Sequence, residues 1–216
     1  MNLPPVNLPP VALTLREDSL ILDLLEPRSL ISSAPHRGGL TSSRYVVNST
    51  VPRDYCPLDV PASIAAHLET LGLPPEHSTA CVTAVNVWDH VQAEASGAGF
   101  RCTVFVTAGI GNLSSPGLTP ISDHRPGTIN LIALLEADLP PAALVEAVQI
   151  VTEVKARVLA GRVTRDGHPA TGTSTDTVTV VLLPGPASAY CGAVTPVGNV
   201  LARAVEGALS GALETA

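Results

Sequence analysis

Lysine is almost absent from this chain of 216 residues: Lys155 is the only one, and Asp, Glu, Lys and Arg together make up 14% of the sequence. With 12 Lys and Arg against 19 Asp and Glu the net charge is −7, and no basic cluster overrides it. A phosphate backbone finds no general attraction here, so nucleic acid is not an expected partner. Aromatic residues are only 3% of the chain, too few to build stacking platforms for single strands; Trp88, Phe100 and Phe105 are expected in the core.

Several motifs are missing as well. Cys56, Cys81, Cys102 and Cys191 form no C-x-x-C pair, and four cysteines in a chain of this length do not make a disulfide scaffold, so reduced thiols in a cytoplasmic protein are expected. Met1 to Leu13 has no basic segment and carries four prolines, unlike a signal peptide. The stretches 102–122 and 177–202 are free of charge but are cut by glycine and proline, which argues against a membrane span. The six histidines show no ligand spacing, so neither a protein-bound metal nor another cofactor is expected. Gly109-Ile-Gly111 lacks a third glycine, no Walker-type sequence occurs, and G-x-S-x-G is absent.

What is present is apolar: 45% of the residues are hydrophobic, enough for one large core. Asn2-Leu-Pro-Pro-Val6 repeats as Asn7-Leu-Pro-Pro-Val11, and residues 1–11 read as an extended Pro-rich lead-in to a single domain over 12–216. Strands are expected at 12–15, 20–24, 30–33, 45–47, 81–85, 102–108, 128–135 and 177–183. Helices are expected at 59–72, where Asp59 caps and His67 faces the surface, at 139–160 and at 195–213, where Gly207 and Gly211 permit close packing. The pattern predicts an α+β or mixed α/β fold with a largely buried sheet covered by a few helices.

Helical projection of 144–159 puts Lys155 in the middle of the apolar face formed by Leu144, Val148, Val151, Val158 and Leu159. Either the amine is paired or lines a polar cavity, or the helix frays there and Lys155 reaches water. Glu153 projects to the opposite side, as an i,i+4 partner of Arg157. The loop Gly167-His-Pro-Ala-Thr-Gly-Thr-Ser-Thr-Asp176 offers backbone N–H groups, hydroxyls and one carboxylate before a buried strand, the parts needed to hold an oxyanion and activate water. It could equally be a turn capped by its own hydroxyls. A second loop, carrying Asp123-His124-Arg125, reads as a binding loop or lid.

Seven segments taken in order resemble the adenosylcobinamide amidohydrolase family of corrinoid salvage: 32–39, Asn48 with Val51, 107–112, 127–130, 152–155, 170–176, and Gly192 with 195–198. The resemblance implies hydrolysis of the amide joining aminopropanol to the corrin ring of adenosylcobinamide, giving adenosylcobyric acid, with cobalt present only as part of the substrate. It implies catalytic roles among Asp176, Glu153, Lys155, Thr173 and Thr175, with Asp176 or Glu153 as base and Lys155 with the Gly172-Thr173 backbone at the oxyanion. It implies substrate contacts from Gly39, Asn48, Asn112, Thr128, Asn130, Gly172 and Ser174, although Ser174 stands where the family pattern has glycine. A threonine nucleophile, Thr173 or Thr175, is the mechanistic alternative. A non-catalytic corrinoid-binding or delivery protein is the functional one, and a low-charge surface makes a homodimer an expectation.

Overall fold

The computed structural model describes residues 11–121 and 127–214. Residues 2–10 of the Pro-rich repeat, and the segment 122–126 with Asp123, His124 and Arg125, lie outside the described residues. The strands are β1 (Ala12–Arg16), β2 (Ser19–Ser32), β3 (Gly39–Thr50), β4 (Ser78–Thr83), β5 (Val91–Gly97), β6 (Phe100–Ala108), β7 (Leu113–Ser114), β8 (Ile129–Asp138), β9 (Gly172–Thr173) and β10 (Thr177–Ala187). The helices are α1 (Val60–Thr70), α2 (Pro141–Val158) and α3 (Pro196–Glu214). The fold is α+β, with a mixed eight-stranded sheet of order β4-β3-β2-β10-β8-β6-β5, β1 added on β2, and a separate β7-β9 ladder.

Among the described strands only β3-β4 and β8-β10 are parallel, and each pair is joined by a helix, α1 in the first case and α2 in the second, as parallel neighbours require. α1 begins where Asp59 accepts a hydrogen bond from Ala62 N–H and stops before Gly72 at φ +72°. α2 and α3 cover one face of β5, β6, β8 and β10. Gly207 and Gly211 let α3 sit on β5 so closely that a Cβ would stand 3.3 Å from Ala93 Cβ and 3.1 Å from Val91 Cγ1.

The other face is covered by the sheet itself. Asp23 faces Tyr45 and Arg28 faces Ser43, so five steps along β2 are matched by two along β3. An odd surplus reverses which residues point to a given face, and the strand bends there. Leu25 takes φ +64° at the bend, where the Asp23 carboxylate accepts its N–H at 2.8 Å and the Arg44 guanidinium at 2.9 and 3.0 Å. Arg44 holds the Asp23 carboxyl below its ordinary pKa. The N-terminal half of β2 then lays Leu20, Leu22 and Leu24, with Val46, on Phe105, Ile132, Leu134, Val181 and Leu183.

A buried polar chain fastens the two layers. Asn130 Nδ2 donates to Asn48 Oδ1 at 2.9 Å and to Val82 O at 2.9 Å, and its Oδ1 accepts from Thr177 Oγ1 at 2.8 Å. Asn48 Nδ2 donates to Thr107 Oγ1 at 3.0 Å. Each amide is thereby engaged on both its nitrogen and its oxygen.

The expected elements are recovered, with β7 and β9 added as a short ladder inside segments read as loops and with the following further differences. Strands 20–24 and 30–33 are two halves of the bent β2; β5, which was not foreseen, pairs with β6 across the turn at Ala98 and Gly99; and Trp88 is 56% exposed, its indole N–H donating to Glu17 O, while Phe100 and Phe105 are buried. His67, expected at the surface, is half-buried and lies 3.1 Å from Ser19 Oγ. None of the described helices is long and apolar enough to cross a membrane.

Replacing Asn130 by Ala strands Val82 O and the Thr177 hydroxyl inside the fold and leaves Asn48 Oδ1 with only the weak Cys81 thiol donor. The expected destabilisation is about 2–4 kcal/mol, from two to three buried groups left without partners, measured by urea unfolding at constant m-value.

Candidate active site

The C-terminal ends of the parallel pair β3-β4 and the N-terminal ends of the parallel pair β8-β10 meet along one rim, because the sheet curls back on itself. α2 runs from the far end of β8 back to the start of β10, and so delivers its last turn to that rim. Lys155 sits in this turn, 8% exposed in a helix that continues to Val158, so fraying does not explain it.

Its amine is paired with Asp176, at 2.5 Å from Oδ2. The same oxygen accepts Thr173 N–H at 3.0 Å; Oδ1 accepts Ile129 N–H at 3.0 Å and the Thr173 hydroxyl. Four donors therefore fill the four lone-pair positions of one carboxylate. They come from α2, from the first residue of β8 and from the loop before β10. Gly172 fits above the pair because it has no side chain: a Cβ there would lie 2.5 Å from Asp176 Oδ2 and 3.0 Å from Lys155 Nζ.

Asp176 borders a cleft of about 720 Å³. Its hydroxyl-bearing wall comprises Ser33, Thr83, Thr128, Ser174, Thr175 and Thr177, and its apolar wall Pro35, Val51, Pro52, Val60 and Val82. Arg53 and Asp54 stand with Tyr55 and Cys56 on the loop after β3. Thr128 Oγ1 donates to Thr175 O at 2.8 Å, Thr175 Oγ1 donates to Gly127 O at 3.2 Å, and Asn112 Nδ2 donates to Ser174 Oγ at 2.7 Å, so the hydroxyl wall is braced from behind. Ser174 and Thr175 N–H groups have no acceptor among the described residues.

Lys155, Thr173, Ser174, Thr175, Asp176, Gly172, Thr128 and Asn112 thus come together. Four other candidates do not join them. Glu153 is exposed on the outer side of α2, away from the cleft. Arg157, expected to pair with it, instead donates to Glu206 Oε2 of α3 at 2.8 Å. Gly39 is exposed at the start of β3 with φ +88°, where it serves the turn. Asn48 and Asn130 are 2% and 1% exposed and bonded to each other, so they support the cleft from inside and have no free edge for a ligand. Thr173 N–H is spent on Asp176 and cannot also serve an oxyanion, and Lys155, like Thr173, Gly172 and Asn112, stands behind the cleft wall and is not part of it.

Sequence reading missed the loop 52–56 and the Val82–Ala84 edge, whose residues belong to no catalytic motif and reach the cleft only through the β3-α1-β4 crossover. Cys81 lies beneath the site, buried, with its thiol pushed up to about 11 by desolvation, and donates to Asn48 Oδ1 at 3.4 Å as an inert packing group. Among the described residues no three His, Cys, Asp or Glu side chains converge in a metal-binding arrangement.

Gly172→Ala must push Lys155 and Asp176 apart. Overpacking of this kind costs about 1–3 kcal/mol. Gly192→Ala, whose Cβ meets nothing within 4 Å, should leave the unfolding midpoint unchanged, and the pair of variants measured by thermal unfolding separates a local clash from a general glycine effect.

The family model described as adenosylcobinamide amidohydrolase matches residues 10–216. A Halobacterium salinarum protein named adenosylcobinamide amidohydrolase is 29% identical over 206 residues, covering 90% of this chain and 84% of that protein. A protein of the same name from Methanosarcina mazei is 29% identical over 187 residues, covering 82% of this chain and 86% of that protein. The match spans the bent sheet, the cleft and the Lys155–Asp176 pair together, and the chain belongs to the adenosylcobinamide amidohydrolase family.

Proposed function

We propose that the chain hydrolyses the amide joining aminopropanol to the corrin ring of adenosylcobinamide, releasing adenosylcobyric acid, in the cleft bordered by Asp176. The observation that carries the site assignment is the filled carboxylate: a buried Lys, two backbone amides and a hydroxyl converge on Asp176 at the edge of a cleft whose wall is rich in neutral hydroxyls. The rim of a corrinoid carries neutral amides, and such a wall hydrogen-bonds them without desolvating charge.

The same geometry favours Thr173 over water as the first nucleophile. Every acceptor position of Asp176 is occupied, so a water on that carboxylate would have to displace a donor, whereas the Thr173 hydroxyl is already bonded to it. Thr173 lies just behind the wall, its Oγ1 at 3.4 Å from Gly127 O, a residue that borders the cleft. In this reading Thr173 Oγ attacks the amide carbon while Asp176 takes the hydroxyl proton. Asp176 then returns that proton to the departing aminopropanol nitrogen as the C–N bond breaks, leaving an ester on Thr173. Water cleaves the ester to the carboxylic acid and restores the hydroxyl. Ser174 and Thr175 N–H are the available oxyanion donors. Lys155 holds the Asp176 carboxylate in place, a positioning role. Metal-free chemistry by these side chains and a cytoplasmic location belong to the same proposal.

Incubation with adenosylcobinamide should give adenosylcobyric acid and aminopropanol by mass spectrometry, with and without chelator. Thr173→Ala should lower turnover by about 1,000-fold or more while Thr173→Ser retains part of it and accumulates an acyl adduct; Glu153→Gln should stay within about threefold of the parent. Absence of product across several corrinoids overturns the activity. Full turnover by Thr173→Ala removes the nucleophile and leaves Asp176 acting on water.

A further inference from the structure

A second cleft of about 840 Å³ opens on the same rim and meets the first at Arg53, Ala84 and Gly127, which border both. It touches none of Lys155, Thr173 or Asp176. Its far side is formed by the turn Val85–His90 after β4 and by Ala108–Gly111 after β6.

Its polar groups are of both senses, with the Arg53 guanidinium as a donor at the junction of the two clefts. His90 Nδ1 lies 2.9 Å from Val87 O, and a carbonyl oxygen only accepts, so the ring proton sits on Nδ1 and Nε2 of the neutral ring is a lone-pair acceptor. No described residue donates to Nε2, and Phe105 holds the ring from one side at 6.1 Å between centroids. The neighbouring Asp89 carboxylate is exposed and has no ion-pair partner among the described residues. Asn86 Oδ1 is taken by Trp88 N–H at 3.1 Å, which leaves its amide N–H groups to donate. Val85, Val91 and Ile110 supply apolar surface between these groups.

We infer that this second lobe receives the adenosyl group of the corrinoid, an inference that rests on the amidohydrolase reading of the first lobe. A cobinamide with an adenosyl ligand has two bulky parts, a macrocycle bearing the scissile amide and a nucleoside standing off its metal, and two clefts that adjoin at Arg53 and Ala84 give each part a place of its own. The nucleoside carries partners for these groups. Its ribose diol and exocyclic amine are donors for Asp89 and His90 Nε2, a carboxylate being the usual partner of a ribose diol. Its ring nitrogens are acceptors for Asn86. Because the lobe is remote from the reacting atoms, its contacts act on binding and leave the chemical step alone.

The test compares adenosylcobinamide with dicyanocobinamide, which keeps the scissile amide and lacks the nucleoside, using the wild-type chain, the isosteric Asp89→Asn and Asp89→Asn/His90→Ala. KM and kcat are read from product formation, Kd from spectral titration, and folding from the unfolding midpoint. The double variant is expected to raise KM and Kd for adenosylcobinamide about tenfold or more with kcat within twofold, and to leave dicyanocobinamide within twofold on every readout. Asp89→Asn alone should move in the same direction without disturbing the His90 contact to Val87. 5′-Deoxyadenosine, titrated by calorimetry, should bind the wild-type chain and lose binding in the double variant. Equal losses on both corrinoids, or none beyond threefold on either, overturn the assignment of this lobe while the amidohydrolase reading stands. A wild-type chain that cleaves neither corrinoid overturns that reading and the lobe's assignment with it.

Discussion

The carboxylate of Asp176 is the point at which the rest of this structure is held together. Lys155 reaches it from α2, Ile129 from the first residue of β8, and Thr173 from the loop before β10, so a single side chain fixes the relative positions of a helix, a strand and a hydroxyl-bearing loop. A buried ion pair alone is a poor source of stability, since desolvating both charges offsets their attraction. Here two backbone amides and a hydroxyl add three further donors, and removing either charge would strand the other in an apolar setting. For that reason Lys155→Met, which replaces the stem with similar volume, cannot be expected to leave the fold untouched.

Arginine would not serve in the place of Lys155. Gly172 leaves just enough room for a compact ammonium, with a hypothetical Cβ only 3.0 Å from Nζ and 3.4 Å from Cε. A planar guanidinium needs more space and presents a fork of five donors to a carboxylate that has one position to offer. The only lysine of the chain thus stands where a small point charge is required.

Much of this was legible in the residues. The alternation and capping signals of α1, α2, α3 and most strands are local, and Lys155 stood out because a charge in an apolar helical stripe needs an explanation. The loop 170–176 stood out for its hydroxyls. What could not be read locally was pairing. Asn48 and Asn130 are 82 residues apart and meet only because β2 bends by an odd register surplus, so motifs that looked like ligand-binding amides are braces of the core. Arg157 found Glu206 on α3 in preference to the adjacent turn for the same reason: the helix–helix interface decided, and sequence spacing did not. β5 was missed although Val91, Ala93 and Ala95 alternate with Gln92, Glu94 and Ser96, since small alanines give a weak strand signal and the strand relies on α3 for its cover.

The bend in β2 has a consequence for function that follows from geometry alone. In a flat mixed sheet of this order, β4 and β8 would be separated by β3, β2 and β10, and strand ends near them could not share a ligand. Folding the β1-β2-β3-β4 half over the β6-β8-β10 half brings Val82 against Asn130 and places the loops after β3, β4 and β6 beside those before β8 and β10. The rim so formed is wide enough for two adjoining lobes, one at the Asp176 carboxylate and one beyond Arg53 and Ala84. A large rigid macrocycle needs a surface of that breadth, and the Asp23–Arg44 pair with the positive φ of Leu25 is the local chemistry that creates it.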